Sequence, residues 1–293
     1  MLDGTVLTSY TFLIVAAGTV LLAAVAGAVG CVTVLKGESL IGDAIGHSSF
    51  PGVILAFMFF MQRDPALLLL GAIGTGILAF ALIQLVDAYS KLDEDAALAI
   101  VLSSFFGAGM VLQSYIQGNK NYQGASQAGL QTYIFGQAAY MMKRDITVIF
   151  VVAVFSLVLL CVFYKEIKVF VFDPVYAKTI GISSSVMYGV IALMAMSLIG
   201  AGLKLVGAVL IASLLIIPAI TVMQWSNHFG RVLGIAACTG SFSALTGTYL
   251  STVIDGLSTG PIIIVIMSIL ALLSLLIGPH GMIANLRMRR RYR

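Results

Sequence analysis

The chain has 293 residues, 60% of them hydrophobic and only 10% charged, with a net charge of +4. A soluble domain carries roughly 25% charged residues, so this composition and a mean hydropathy of +1.07 exclude that class. The basic excess, with a pI near 9.0, lies in short loops and at the C-terminus, which argues for helix orientation in a membrane and against nucleic-acid binding.

Uncharged runs recur at 4–35, 65–86, 96–119, 146–164, 179–203, 232–254 and 256–286. Each is long enough to cross a hydrocarbon core of about 30 Å, which takes about 20 helical residues. Strand-type alternation is absent, which argues against a transmembrane barrel. The pattern predicts an all-α, polytopic bundle forming a single transmembrane domain over 1–293. Its candidate spans are 9–34, 40–61, 65–86, 95–116, 145–164, 185–201, 205–226, 231–253 and 261–278. The count is eight to nine, because the sixth is expected to pack with its neighbours either as a full span or as a shorter or broken element. The first run is long and lacks a basic leader, so it reads as a retained helix.

The second span opens with "GDAIGHSSFPG" at 42–52. Asp43 and His47 stand four residues apart and share one face of a helix. Ionisable groups at membrane depth are costly, and are functional by default. A carboxylate oxygen and an imidazole nitrogen suit a borderline divalent cation such as Mn2+, Fe2+ or Zn2+. Two donors hold an ion weakly; two copies about a two-fold axis supply four, a grip loose enough for release. Two plainer readings stand beside this one: the pair bonds to itself or to a neighbouring helix, or Asp43 caps the helix start near the cytoplasmic headgroups. Gly42 and Gly46 form a GxxxG for close helix approach. Ser48 and Ser49 are candidate partners for the ligand side chains. Pro51 followed by Gly52 predicts a kink beside the pair.

Further along, Asp93, Glu94 and Asp95 read as acids favoured by the dipole at a helix N-terminus. The functional alternative is contact with a partner or with an exiting cation. The loop 117–144 is polar first and apolar later, and is expected to dip back or to lie on the outer surface. In the inside segment 165–184, Asp173 reads as an N-cap, Pro174 as the first helical residue and Gly181 as the helix end. That predicts a short cytoplasmic helix, a natural handle for a partner protein. Pro218 inside the seventh span predicts a kink, with Ser213 and Thr221 as polar lining, since broken helices often line transport sites. His228, near Trp225 and Arg231, and His280 read as interface anchors. Asp255 reads as a turn before Pro261 or as a contact with an ion or protein outside. Cys31, Cys161 and Cys238 have no metal-ligand spacing and read as buried small residues.

Placing the tail 287–293, which includes "RMRRRYR", in the cytoplasm leaves 11 of the 16 basic residues inside and 5 outside, as the positive-inside rule requires. The N-terminus is then outside. No GxxxxGK[ST], GxSxG or HExxH is present, so neither a P-loop nor a hydrolase site is encoded.

"GDAIGHSSFPG" resembles the D-x-[IL]-[SG]-H-[AS]-x-x-P-G signature of the manganese/zinc/iron permease family of ATP-binding-cassette importers. "LQTYIFGQ" ending at 137, "FDPVYAKTIGI" at 172–182 and "VGAVLIASLLIIPAIT" at 206–221 resemble the same family in the same order. Gly46, where many members have Ser, and Phe50, where many have an aliphatic residue, depart from the pattern. The resemblance implies a type II importer-like permease in a bacterial plasma membrane, working as a dimer of identical or related chains. It implies two partner ATPase subunits, which use the ATP, and an extracellular or periplasmic metal-binding protein that delivers the ion. Asp43 and His47 would be the pathway ligands. Phe172, Asp173, Pro174, Tyr176, Ala177 and Gly181 would belong to the coupling segment 172–182.

The expected function is therefore the membrane subunit of a divalent-metal importer, not an enzyme, with no permanently bound cofactor. Manganese is placed ahead of zinc or iron because a mixed oxygen/nitrogen site without thiolates suits a harder ion. A permease for a siderophore or cobalamin-type complex is an alternative, but would not need the Asp/His pair. An ion-coupled secondary carrier is another, and predicts inverted repeats that the sequence does not display.

Overall fold

A computed structural model describes residues 9–62, 64–119, 122, 136, 141–254, 256–279 and 281–283. Asp255, His280, the tail 287–293 and most of the loop 117–144 lie outside the described residues. Hydrocarbon offers backbone groups no hydrogen-bonding partner, so a crossing segment must bond to itself as a helix. Among the described residues there are eleven helices and no strand. They are α1 (Tyr10–Lys36), α2 (Ile41–Phe60), α3 (Pro65–Tyr89), α4 (Glu94–Gly118), α5 (Lys143–Val162), α6 (Tyr164–Phe172), α7 (Pro174–Thr179), α8 (Ser184–Val206), α9 (Ala208–Met223), α10 (Phe229–Val253) and α11 (Thr259–Ile277).

Each expected span corresponds to one of these helices. Seven are long and apolar enough to cross a membrane: α1, α2, α3, α4, α5, α8 and α11. At about 1.5 Å per residue, α9 is too short to cross squarely. The 25-residue α10 is long enough, but glycines, serines and threonines dilute its apolar character. The sixth span is not broken: α8 runs unbroken for 23 residues, and the interruption falls after it, at Gly207. The sequence reading did not resolve α6, a separate amphipathic helix that buries Ile167, Phe170 and Val171 and precedes the expected short helix.

Burial separates a centre from a periphery. In their most apolar windows α1 and α2 are 67% buried, while α4 and α11 are 22% buried and face outward. Buried hydroxyls clasp helices together, an arrangement suited to lipid because each donor finds a partner. Thr19 and Thr248 hydroxyls lie 3.0 Å apart between α1 and α10, and Ser156 and Ser197 lie 3.3 Å apart between α5 and α8. The Trp225 indole donates to Ser274 Oγ at 2.7 Å, and Ser274 donates to the Thr221 carbonyl at 2.5 Å. One cysteine expectation is corrected. Only Cys31 is buried, whereas Cys161 and Cys238 are exposed on the surfaces of α5 and α10, because an apolar segment in lipid need not face the protein interior.

The charged residues sort to two ends. Arg144 Nη2 lies 2.6 Å from Asp64 Oδ2, and Lys143 sits over the Tyr10 ring at 5.4 Å, at the end assigned to the outside. Lys36, Tyr188 and α6 gather at the other end. Between them α8 turns into α9 through Gly207, whose φ of 88° and ψ of 161° stop the helix. Gly136, at φ 71°, belongs to the "LQTYIFGQ" stretch and lies so close that an added Cβ would collide with the Val206 carbonyl and come within 2.7 Å of Gly207 N.

Gly136→Ala is therefore expected to destabilise the protein by about 1–3 kcal/mol, read as a lower unfolding temperature in detergent. Gly234→Ala on α10, where nothing lies within 4 Å, should instead be neutral or stabilising by up to about 1 kcal/mol.

Candidate functional site

The hairpin between α1 and α2 is set by backbone chemistry. Left-handed Gly37 closes α1, its N–H bonding to the Thr33 and Val34 carbonyls, and Glu38 N bonds to Thr33 O at 3.0 Å. Four residues later α2 begins, with Leu40 at the N-cap and no side-chain cap bond. Asp43 is thus the third helical residue, where the positive end of the helix dipole favours an anion, but it does not occupy the cap position.

Between Ile41 and Phe57 every residue of α2 is buried except Asp43, His47 and Leu55. These three lie four and eight residues apart on one stripe, so the Asp/His pair stands on the only open edge of that stretch. The Asp43 side chain is 39% exposed and that of His47 15%. His47 Nε2 lies 3.6 Å from Asp43 Oδ1, too far for a good hydrogen bond. Two ligand atoms each about 2.1 Å from a metal lie roughly 3.0–3.4 Å apart at octahedral or tetrahedral angles, so the pair needs to move only a few tenths of an ångström to share a cation.

The imidazole is oriented by packing. Its ring meets Phe106 of α4 edge-on at 4.8 Å and 85°, and Phe106 in turn contacts buried Phe50 at 5.9 Å. Nδ1 is buried with no hydrogen-bond partner. Phe106 went unnoticed in the sequence because nothing in the local pattern of α4 says which residue meets His47.

The serine expectation is corrected. Ser49 Oγ donates to the Ile45 carbonyl at 2.8 Å and Ser48 Oγ is buried without a partner, so neither bonds to Asp43 or His47; one helical turn carries the two hydroxyls inward while the pair faces out. Gly42 and Gly46 are buried, and a Cβ at Gly42 would make only ordinary contact with Leu215 at 3.6 Å. The tight approach on α2 is at Gly52, where a Cβ would strike the Gly71 carbonyl of α3. Pro51 lies inside α2 and lacks the N–H that would otherwise bond the His47 carbonyl. Among the described residues no group of three or more His, Cys, Asp or Glu side chains gathers, so this chain brings two such donors to the pair.

At the other end of the bundle from Arg144, Asp173 caps α7: its Oδ1 accepts from Tyr176 N at 2.8 Å, and Pro174 follows in the first position. Gly181, at φ 88°, lies just past the helix, with Ile182 N bonded back to Ala177 O at 2.9 Å. Ala177 is fully buried and seats α7, whereas Phe172, Val175, Tyr176 and Ile180 are all exposed. Phe172 also stands edge-on to Phe229 at 6.0 Å and borders a cavity of about 280 Å³ shared with Leu35 and Met223. The amphipathic spacing of Ile167, Phe170 and Val171, interleaved with the polar Lys165, Glu166 and Lys168, was the signal for α6 that the sequence reading passed over.

The remaining candidates make contacts of their own. Asp93 occupies the N-cap position of α4, bonding through its backbone carbonyl rather than its side chain. Exposed His228 starts α10. Pro218 lies within α9, where half-buried Ser213 and buried Thr221 are found, and the Thr221 hydroxyl donates to the Ile217 carbonyl at 2.7 Å.

Comparison with known proteins follows this geometry. The sequence model of the ABC 3 transport family matches residues 9–278. The chain is 42% identical over 283 residues to the manganese transport system membrane protein MntC of Bacillus subtilis (strain 168), which covers 94% of this chain and 64% of that one. It is 35% identical over 283 residues to the zinc transport system membrane protein TroC of Treponema pallidum (strain Nichols), covering 96% and 94%. The solved structure of PsaBC from Streptococcus pneumoniae in complex with Fab superposes with a TM-score of 0.82 at 25% identity, covering 93% of this chain and 94% of that chain.

The cap of α7 makes a local test. Asp173→Ala should loosen the helix by about 1 kcal/mol, raising amide exchange at 177–181 about fivefold, while Asp173→Asn, which can also cap, should change it little.

Proposed function

Because this chain belongs to the ABC 3 transport family, we propose that it is the membrane-spanning permease subunit of an ATP-driven importer of a divalent transition metal ion, which passes Asp43 and His47. The observation that carries the proposal is the pair itself: an oxygen and a nitrogen donor 3.6 Å apart on the one open stripe of α2 between Ile41 and Phe57. The relatives named above for manganese and zinc transport support the substrate class. A donor set without thiolate favours manganese over zinc, although the general affinity order runs the other way.

In this reading the ion loses part of its hydration shell to Asp43 and His47. A second copy of the permease, identical or related, brings an equivalent pair. Four weak donors then compete with water without trapping the ion, as a transport site requires. Phe106 and the dipole of α2 hold the two heads in place before the ion arrives. Ligation through Nε2 places the ring proton on Nδ1, which is buried without a hydrogen-bond partner.

The energy comes from a separate chain, since this one has no P-loop. Exposed Val175, Tyr176 and Ile180 on α7 offer an apolar knob for ATPase subunits on the cytoplasmic side. A metal-binding protein delivers the ion at the opposite face of the bacterial plasma membrane. Alternating access of the two protomers then exposes the donors first outward and then inward.

The test is manganese uptake by proteoliposomes that contain the permease and its ATPase partner. Asp43→Ala and His47→Ala are each expected to lower ATP-driven uptake by at least about tenfold while the complex still assembles; wild-type uptake in both would remove the site. Excess zinc that abolishes uptake while being carried itself would reassign the metal. Tyr176→Ala is expected to leave the permease folded but to lower ATPase co-purification or uptake per ATP. Unchanged coupling in that variant would remove α7 from the docking role.

A further inference from the structure

One charged group lies between the two working parts of the fold and belongs to neither. Lys36 ends α1, where a lysine ordinarily extends its ammonium to water and favours the negative end of the helix dipole. Here the side chain is only 14% exposed. Its Nζ stands 5.1 Å from the centroid of Phe170 and 5.2 Å from that of Tyr188, two rings that meet each other edge-on at 5.0 Å and 84°. Glu38 Oε1, on a side chain 10% exposed, lies 4.0 Å away.

The sequence positions of these partners give the cage its meaning. Phe170 is buried on α6, three residues before Asp173, the N-cap of α7. Tyr188 lies in the second turn of α8. Lys36 and Glu38 belong to the hairpin that leads directly into α2, and Asp43 follows seven residues after Lys36. The ammonium therefore ties the root of the cytoplasmic α7 to the root of the helix carrying Asp43 and His47. A cation held between buried Phe170 and half-buried Tyr188 resists separation in a way that an apolar side chain of equal size does not.

We infer that Lys36 is a positioning residue that carries movement of α6 and α7 into the α1–α2 hairpin, so that events at the cytoplasmic face reach Asp43 and His47. The inference rests on the transport reading above. Lys36→Met keeps a flexible chain that packs against rings but removes the charge; Lys36→Arg keeps a cation that stacks on them.

The experiment compares these variants in proteoliposomes with the ATPase partner, using Mn2+ as the transported probe and measuring uptake and ATP hydrolysis together. Lys36→Met is expected to assemble and hydrolyse ATP like the wild type, with uptake per ATP lowered about tenfold. Lys36→Arg should restore most of that ratio. Phe170→Leu should lower it similarly, and the Lys36→Met/Phe170→Leu double variant should be no worse than either single one, because both break the same contact. A wild-type ratio in Lys36→Met would overturn the inference. So would failure of both Lys36 variants to assemble, which would make the residue structural only. A wild-type complex that hydrolyses ATP but moves no Mn2+ would sink the transport reading itself, and this inference with it.

Discussion

Hydrocarbon cannot solvate a peptide group or a charge, and the architecture follows from that constraint. Each long segment meets its own hydrogen bonds as a helix, and serine and threonine hydroxyls turn back onto carbonyls or onto one another, as Thr19 and Thr248 do. The ion pair and cation–ring contacts of Arg144, Lys143 and Lys36 are confined to the two ends of the bundle. Against that background an acid and an imidazole together on α2 are conspicuous.

The two heads are close without forming a tight ion pair: His47 Nε2 and Asp43 Oδ1 are 3.6 Å apart. The surroundings supply orientation rather than competition. Phe106 fixes the ring plane, the start of α2 stabilises the carboxylate, and the two serines face inward, with Ser49 occupied by its own helix. The rigidity comes from below, where Gly52 lets α3 lie directly against α2. A rigid helix with one polar edge keeps the two side chains at a set spacing.

Much of this was legible in the sequence, for physical reasons that differ from element to element. Long uncharged runs mark helices because length and apolarity are what a membrane demands, and Asp173-Pro174 marks the start of α7 because capping is local chemistry. The i, i+4 spacing of Asp43 and His47 puts them on one face whatever surrounds them. Other features depend on what lies across a contact. Phe106 against His47, Gly136 against the Val206 carbonyl, and the cage around Lys36 join residues far apart in the chain. The inward turn of Ser48 and Ser49 and the exposure of Cys161 and Cys238 depend on which face of a helix meets protein and which meets lipid, and apolar composition alone does not distinguish the two. The break after α8 was expected nearby but attributed to the wrong element, because a glycine inside an apolar run looks the same whether it packs or turns.

The single-residue link at Gly207 restricts how this protein can change shape. Adjacent Cα atoms are about 3.8 Å apart, so the tips of α8 and α9 that meet at Gly207 can never part by more than a few ångströms. Their far ends are under no such tether: Tyr188 lies beside Lys36, and Met223 lines a separate cavity with Leu35 and Phe172. The two helices are therefore built like a pair of tongs, pinned together at the Gly207 tip and joined by no such link at the other.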